Sequence, residues 1–287
     1  MRASVESLSA SRIGAWRRAW RALRGSGWWY FSLLPLTALV GDPRAGTDVV
    51  LRLVGSVAVA GLCLAFAYGF NGIIDRGMDR DAGKNSLAGL VELPREAVAL
   101  VVGCALVALG IAAMLTPVAL LGTGMSLVAG TLYSGGLKRL PVVGTVVNVL
   151  IFVPLPFLAM VDSPTAGMLF LIFCFYVLVT QNQILHEIGD SEEDIAAGVR
   201  TTAVAIGATG VRLIAVLLGP LAALVLWRSY PSASPTLIIA AALGLCGGAA
   251  MVALGDESRA GRFRVAHRWY SLAVGAVLFG LVAWVGA

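Results

Sequence analysis

Residues 49–79 read VVLRLVGSVAVAGLCLAFAYGFNGIIDRGMD. From Val49 to Ile73 the only charge is Arg52. A helix rises 1.5 Å per residue, so about 20 apolar residues cross the hydrocarbon of a bilayer. This run is long enough to do so, and it ends in acids. It sets the fold class: an apolar helix that carries carboxylates to one face of a membrane.

The same pattern repeats along the chain. Further apolar runs lie near 27–42, 96–115, 117–135, 143–161, 165–185, 203–227, 234–254 and 266–286. Composition agrees. A soluble domain carries about 25% charged residues. This chain of 287 residues is 13% charged and 59% hydrophobic. We therefore expect an all-α, polytopic membrane bundle of about nine transmembrane helices, with a single domain over residues 27–287. No soluble domain or long linker is expected. The tight break at Thr116-Pro117 predicts a helical hairpin.

Residues 1–26 form a basic amphipathic segment. Trp16 and Trp20 sit among Arg12, Arg17, Arg18, Arg21 and Arg24. Two tryptophans four apart share a helix face. The segment lacks the apolar core of a cleavable signal. It reads as a helix lying on an anionic membrane surface. The formal charge of +5 then reflects contact with membrane lipids, not nucleic acid. Cys63, Cys104, Cys174 and Cys246 all lie in apolar runs and read as packing residues.

Basic residues orient the chain. Of the 21 Lys and Arg, only Arg44, Arg52 and Arg228 fall on one side of a nine-span threading. Cytoplasmic loops collect Lys and Arg. The expectation is a multi-pass protein of a bacterial-type cell membrane, N-terminus in the cytoplasm and C-terminus outside.

Two acid-rich segments follow spans two and six. In the first, Asn71, Asp75 and Asp79 recur every four residues, which places them along one helix face. In the second, Glu187, Asp190 and Asp194 fall at spacings of three and four. Like charges this close repel each other, and a divalent cation relieves the repulsion. Carboxylate oxygens without Cys or His suit Mg²⁺, which binds through a few carboxylates plus substrate phosphates. Asp75, Asp79, Asp190 and Asp194 are the expected metal ligands. Arg80, Lys84, Lys138, Arg139 and Arg200 lie near these segments and complete a site for a diphosphate. The bland alternative is a pair of solvated loops with basic residues marking topology.

The motifs resemble those of the UbiA-type intramembrane prenyltransferases. That family carries N-x3-D-x3-D, here Asn71, Asp75 and Asp79. It also carries D-x3-D-x3-G followed by Thr, here Asp190, Asp194, Gly198 and Thr201. The stretch from Tyr133-Ser134 to Lys138-Arg139, then Pro141 and Gly144, is similar to the family's tyrosine and Lys-Arg loop. The resemblance implies helices around a central cavity capped on the cytoplasmic side. It assigns Asn71, Asp75, Asp79, Asp190 and Asp194 to Mg²⁺-assisted binding of an isoprenyl diphosphate. Lys138 matches a diphosphate-binding base and Tyr133 the characteristic tyrosine. Glu187 stands where many members have Asp. Gly72 replaces an acid, Asn85-Ser86-Leu87 replaces Arg-Pro-Leu, and His186 occupies a position that is often basic. No arginine lies within the first span. These departures point away from a 4-hydroxybenzoate acceptor.

The implied reaction is transfer of an isoprenyl group to an aromatic or lipid acceptor, with Tyr68, Phe70 and Tyr133 as aromatic faces for the allylic cation. Other readings are a membrane terpene cyclase, a polyprenyl-phosphate sugar-phosphate transferase, or a transporter. A transporter places its acids near the bilayer midplane. Here they sit at one face.

Overall fold

Lipid offers no water to satisfy backbone N–H and C=O groups, so a spanning segment closes its own hydrogen bonds as a helix. The computed structural model describes residues 14–40, 47–79, 85–161, 163–231, 233–255 and 259–286. Among the described residues there are helices and turns and no strand. A short helix α1 covers residues 14–22. The longer helices are α2 (Thr47–Asp75), α3 (Arg95–Leu115), α4 (Pro117–Ser134), α5 (Val143–Phe152), α6 (Ala166–Ala196), α7 (Thr202–Ser229), α8 (Pro235–Leu254) and α9 (Ala260–Gly286).

Seven of these are long and apolar enough to cross a membrane: α2, α3, α4, α6, α7, α8 and α9. The first and fifth expected spans are shorter. Trp29–Val40 is a 3₁₀ helix containing Pro35. The segment 143–161 divides into α5 and a 3₁₀ helix, Leu155–Ala159, at Pro154 and Pro156. Proline removes a backbone donor and clashes with the preceding turn. The chain is thus an integral, multi-pass membrane protein, with seven membrane-length apolar helices and two shorter apolar helical segments among the described residues.

The chain divides into two compact units. The first comprises Met1–Leu36, Gly46–Gly135 and Phe157–Val161. Within it the hairpin expected at Thr116-Pro117 is present. Thr116 is extended, and its Oγ1 accepts the Ala119 N–H at 3.0 Å. Pro117 occupies the first helical position, where no N–H is needed. Small residues let the helices approach closely, as packing in lipid requires. A Cβ on Gly69 would lie 2.6 Å from Val101 of α3, and one on Gly130 of α4 would lie 3.1 Å from Ala67 of α2. Ala19, Ala22 and Leu23 bury α1 into the same core as Ile73, Leu87 and Val101.

The second unit comprises Thr37–Ala45, Gly136–Pro156 and Asp162–Ala287. Helix α6 is its most enclosed helix, with 72% of its apolar stretch buried against 17% for α9. Phe170, Leu171, Cys174 and Leu178 of α6 pack with Ala222 and Leu226 of α7, Leu245 of α8 and Leu278 of α9. Gly219 is obligatory here, since a Cβ would lie 2.8 Å from the Leu245 carbonyl oxygen. Buried Gln181 donates to that same carbonyl at 3.1 Å, joining α6 to α8. Helix α7 is interrupted at Gly207, whose φ of 77° and ψ of 154° are not helical. All four cysteines are free thiols, three of them buried, as packing residues should be.

Candidate active site

The first acid segment begins on the last turns of α2, but the helix stops at Asp75. Asp79 is therefore on a turn and not on the helix face expected from its spacing. The i, i+4 relation nevertheless survives, because the N–H groups of Met78 and Asp79 both bond the Asp75 carbonyl at 2.8 Å. One uncontinued helical turn keeps the two carboxylates neighbours. Asp75 is buried at 8% exposure, while Asn71 and Asp79 are half-buried.

A strap at residues 85–90 fixes the outer carboxylate. Asn85 is 1% exposed. Its Nδ2 donates to the Gly72 carbonyl at 2.9 Å and to Asp79 Oδ2 at 2.8 Å. Its Oδ1 accepts the Leu87 N–H at 3.0 Å. Gly72 admits this approach, since a Cβ there would sit 3.3 Å from Asn85 Oδ1. The strap is anchored by Leu87, which is fully buried, and by the Gly89 N–H donating to the Arg76 carbonyl at 2.8 Å. Helix α4 reaches the same place: Ser134, the neighbour of Tyr133, donates to Asn71 Oδ1 at 3.3 Å. Asn71, Asp75, Asp79 and the end of α4 are thus gathered within the first unit. Arg80 and Lys84 lie outside the described residues.

The second acid segment is the C-terminal third of α6. Its end shows why the motif reads Asp, Asp, Gly, Thr. Gly198 has a φ of 67°, the left-handed conformation that closes a helix. The Gly198 N–H donates to the Ile195 carbonyl at 3.1 Å and the Val199 N–H to the Asp194 carbonyl at 2.8 Å. These are the two bonds of a Schellman cap. The chain then reverses, and Thr201 Oγ1 donates to Asp194 Oδ2 at 3.1 Å. One turn earlier, His186 Nδ1 lies 3.0 Å from Asp190 Oδ2. Arg200 is exposed beside the reversal.

Glu187 is the buried member of this group, at 7% exposure. Two chains of donors end on its Oε1. Gln183 Nε2 donates to it at 3.2 Å, and Gln183 Oε1 accepts Asn148 Nδ2 at 2.8 Å. Thr145 donates to it at 2.6 Å, and Thr145 and Thr202 hydroxyls are 2.6 Å apart. A hydroxyl has one proton. Thr145 spends its proton on Glu187, so Thr202 donates to Thr145. Thr202 in turn accepts the Val142 N–H at 2.9 Å. The Ala203 N–H approaches Oε2 at 3.4 Å. Aligned chains of this kind reinforce one another in a low-dielectric interior.

The Val142 link ties the Lys-Arg loop to that network. Lys138 and Arg139 form a single 3₁₀ turn, Leu137–Arg139. The turn rests on α5, where a Cβ at Gly144 would lie 2.9 Å from the Lys138 backbone. Between them, the Val143 N–H bonds the Pro141 carbonyl at 2.7 Å, and Val142 has φ 65° and ψ −50°. This is a classic-type γ-turn on a β-branched residue, a strained conformation costing about 1–3 kcal/mol. Lys138, Arg139, Glu187, Asp190, Asp194 and Arg200 all belong to the second unit.

Two aromatics named from the sequence have neighbours of their own. The Arg24 guanidinium lies over the Tyr68 ring at 5.9 Å. Phe70 stacks on Phe66, with centroids 5.5 Å apart. The residues that motif spacing missed and that hydrogen-bond into the two acid segments are Asn85, Thr145, Asn148, Gln183 and Thr202. Gln181-Asn182-Gln183 offered a signal, because three amides inside an apolar span are costly unless they serve something.

A family model described as the UbiA prenyltransferase family matches residues 28–272. Solved structures agree in fold. A UbiA homolog from Archaeoglobus fulgidus, bound to DMAPP and Mg²⁺, superposes with a TM-score of 0.65 at 19% identity, covering 91% of this chain and 99% of that one. A digeranylgeranylglyceryl phosphate synthase gives a TM-score of 0.71 at 15% identity, covering 94% and 99%. An apo UbiA homolog from Aeropyrum pernix K1 gives 0.65 at 17% identity, covering 90% and 96%. None of the curated proteins compared matches the chain.

Proposed function

The chain belongs to the UbiA prenyltransferase family, and from that premise we propose that it transfers an isoprenyl group from an isoprenyl diphosphate to a hydrophobic or aromatic acceptor within the membrane. The observation that carries this reading is the paired preparation of the two motifs. In each, an Asp has one carboxylate oxygen fixed by a neighbour: Asp79 by Asn85, and Asp194 by Thr201.

The donor set fits Mg²⁺. The acids bring oxygen ligands alone, and among the described residues no three His, Cys, Asp or Glu side chains are grouped to hold a metal unaided. Mg²⁺ commonly binds through one or two carboxylates and completes its shell with water and phosphate oxygens. Asp75 and Asp79 would hold one ion, and Asp190 and Asp194 another. When bound, Mg²⁺ neutralises charge gathering on the departing diphosphate.

The remaining work falls to the chain itself. Lys138 and Arg139 are presented on a turn held at both ends, so their cationic groups meet the diphosphate with little reorganisation. Glu187 fixes that turn through Thr145 and Thr202. Tyr133 is the aromatic assigned to the allylic cation, with Arg200, Arg80 and Lys84 as further diphosphate contacts. The apolar spans exclude water from the cation. The site faces the cytoplasm, with the N-terminus on that side and the C-terminus outside, because Lys and Arg collect there.

The test is turnover in membranes supplied with Mg²⁺ and a series of isoprenyl diphosphates, products identified by mass. Asp75→Asn and Asp190→Asn should each lower turnover by about 10²–10³, the scale of removing one fixed electrostatic group, while the protein still folds. Full turnover by either variant, or by the wild type in chelator, overturns the reading. A prenyl product formed without acceptor would instead identify a cyclase.

A further inference from the structure

Helix α1 takes no part in the proposed chemistry, yet its three bands are sharply sorted. At about 100° per residue, Ala19, Ala22 and Leu23 fall on one side, and all are buried against α2 and α3. Next around the helix come Trp16 and Trp20, which are 50% and 70% exposed. Beyond them come Arg17 and Arg21, then Arg18, all exposed. Arg24 is engaged by Tyr68 and steadies the end of the helix.

Position matters as much as pattern. The Ala22 carbonyl lies 3.8 Å from where a Cβ on Gly72 would be, and Ser86 Oγ donates to the Arg18 carbonyl at 2.9 Å. Helix α1 is therefore docked at the end of α2 that carries Asp75, where the apolar span meets its polar terminus. Tryptophan favours the boundary between headgroups and acyl chains, and arginine the phosphates above it. An aromatic band beside a basic band, on a helix fixed at that level, matches a leaflet of anionic lipid.

We propose that α1 is a docking surface for anionic phospholipid headgroups, with Trp16 and Trp20 seated at the acyl boundary and Arg17, Arg18 and Arg21 on the phosphates. The surface recruits a specific lipid annulus around the first motif and is independent of prenyl transfer.

The experiment uses the full chain in mixed micelles of equal phosphatidylglycerol and phosphatidylcholine, with co-purifying lipid quantified by mass spectrometry. Each basic residue near an anionic surface contributes about fivefold in partition. The wild type should enrich phosphatidylglycerol several-fold. Arg17→Gln/Arg18→Gln/Arg21→Gln should lose most of that enrichment while eluting as a folded monodisperse species. Arg259→Gln/Arg262→Gln, which removes the same type of charge elsewhere, should keep it. Inorganic phosphate at millimolar concentration should not displace the lipid. Equal enrichment in the α1 variant, absence of enrichment in the wild type, or displacement by free phosphate would each overturn the proposal. A second readout covers the aromatic band. Bromine-labelled phosphatidylglycerol should quench the wild type more than Trp16→Phe/Trp20→Phe, and equal fractional quenching refutes the placement.

Discussion

Replacing Asn85 with Leu separates the role of the strap from that of the proposed metal ligands. The side chains are similar in volume, so the change removes three hydrogen bonds and leaves little cavity. It deprives Asp79 of a donor at 2.8 Å and leaves the buried Leu87 N–H without its acceptor. A bond to a charged group is worth about 1.5–3 kcal/mol, and a buried orphan donor costs about 1–3 kcal/mol. The strap should remain, because Leu87 and the Gly89 bond to Arg76 are untouched. What changes is the aim of the Asp79 carboxylate. Loss of such a supporting partner typically weakens metal affinity by about 10–100-fold. We expect the Mg²⁺ concentration giving half-maximal prenyl transfer to rise by about that factor, with the maximal rate largely recovered at saturating Mg²⁺. The assay is initial rate in membranes against free Mg²⁺, with folding checked by size-exclusion chromatography. An unchanged Mg²⁺ midpoint in a folded Asn85→Leu protein would refute the argument.

Two further outcomes follow from the second unit. Thr145→Val deletes the hydroxyl at the centre of the Val142-to-Glu187 chain and should destabilise the protein by about 1–3 kcal/mol, read as a lower midpoint in thermal denaturation; Thr145→Ser should retain wild-type stability, and equal behaviour of the two would count against the chain. Gly198→Ala forces a Cβ into the left-handed region at a cost of about 1–2 kcal/mol and disturbs the Thr201–Asp194 contact, so turnover should fall, less so for Gly198→Asn, which tolerates that conformation; indifference to both changes would contradict the cap.

Much of the fold is legible because lipid imposes a simple rule: long apolar runs become helices. Seven spans, the Thr116-Pro117 hairpin and the packing role of the cysteines follow from that rule and from proline and cap chemistry. The first and fifth segments are shorter than read, because Pro35, Pro154 and Pro156 weigh more on helix continuity than on hydropathy. Spacing also singles out the acids of the two motifs but misplaces Asp79 on the helix, since periodicity does not reveal that α2 stops at Asp75. The supporting residues are harder to see. Asn85 holds Asp79 from six positions away, Thr145 reaches Glu187 from another helix, and Thr202 reaches Thr145. Pairings of that kind are set by tertiary approach and leave no local pattern. The Arg24 contact over the Tyr68 ring is likewise a tertiary pairing that spacing does not reveal.

The most direct measurement is equilibrium binding of a radiolabelled isoprenyl diphosphate to the purified chain, without acceptor, as Mg²⁺ is varied. Binding should require Mg²⁺, vanish in chelator, and be lost in both Asp79→Asn and Asp194→Asn, as the proposed role of each motif requires. Tight binding without divalent metal, or wild-type affinity when either motif is neutralised, would contradict the account.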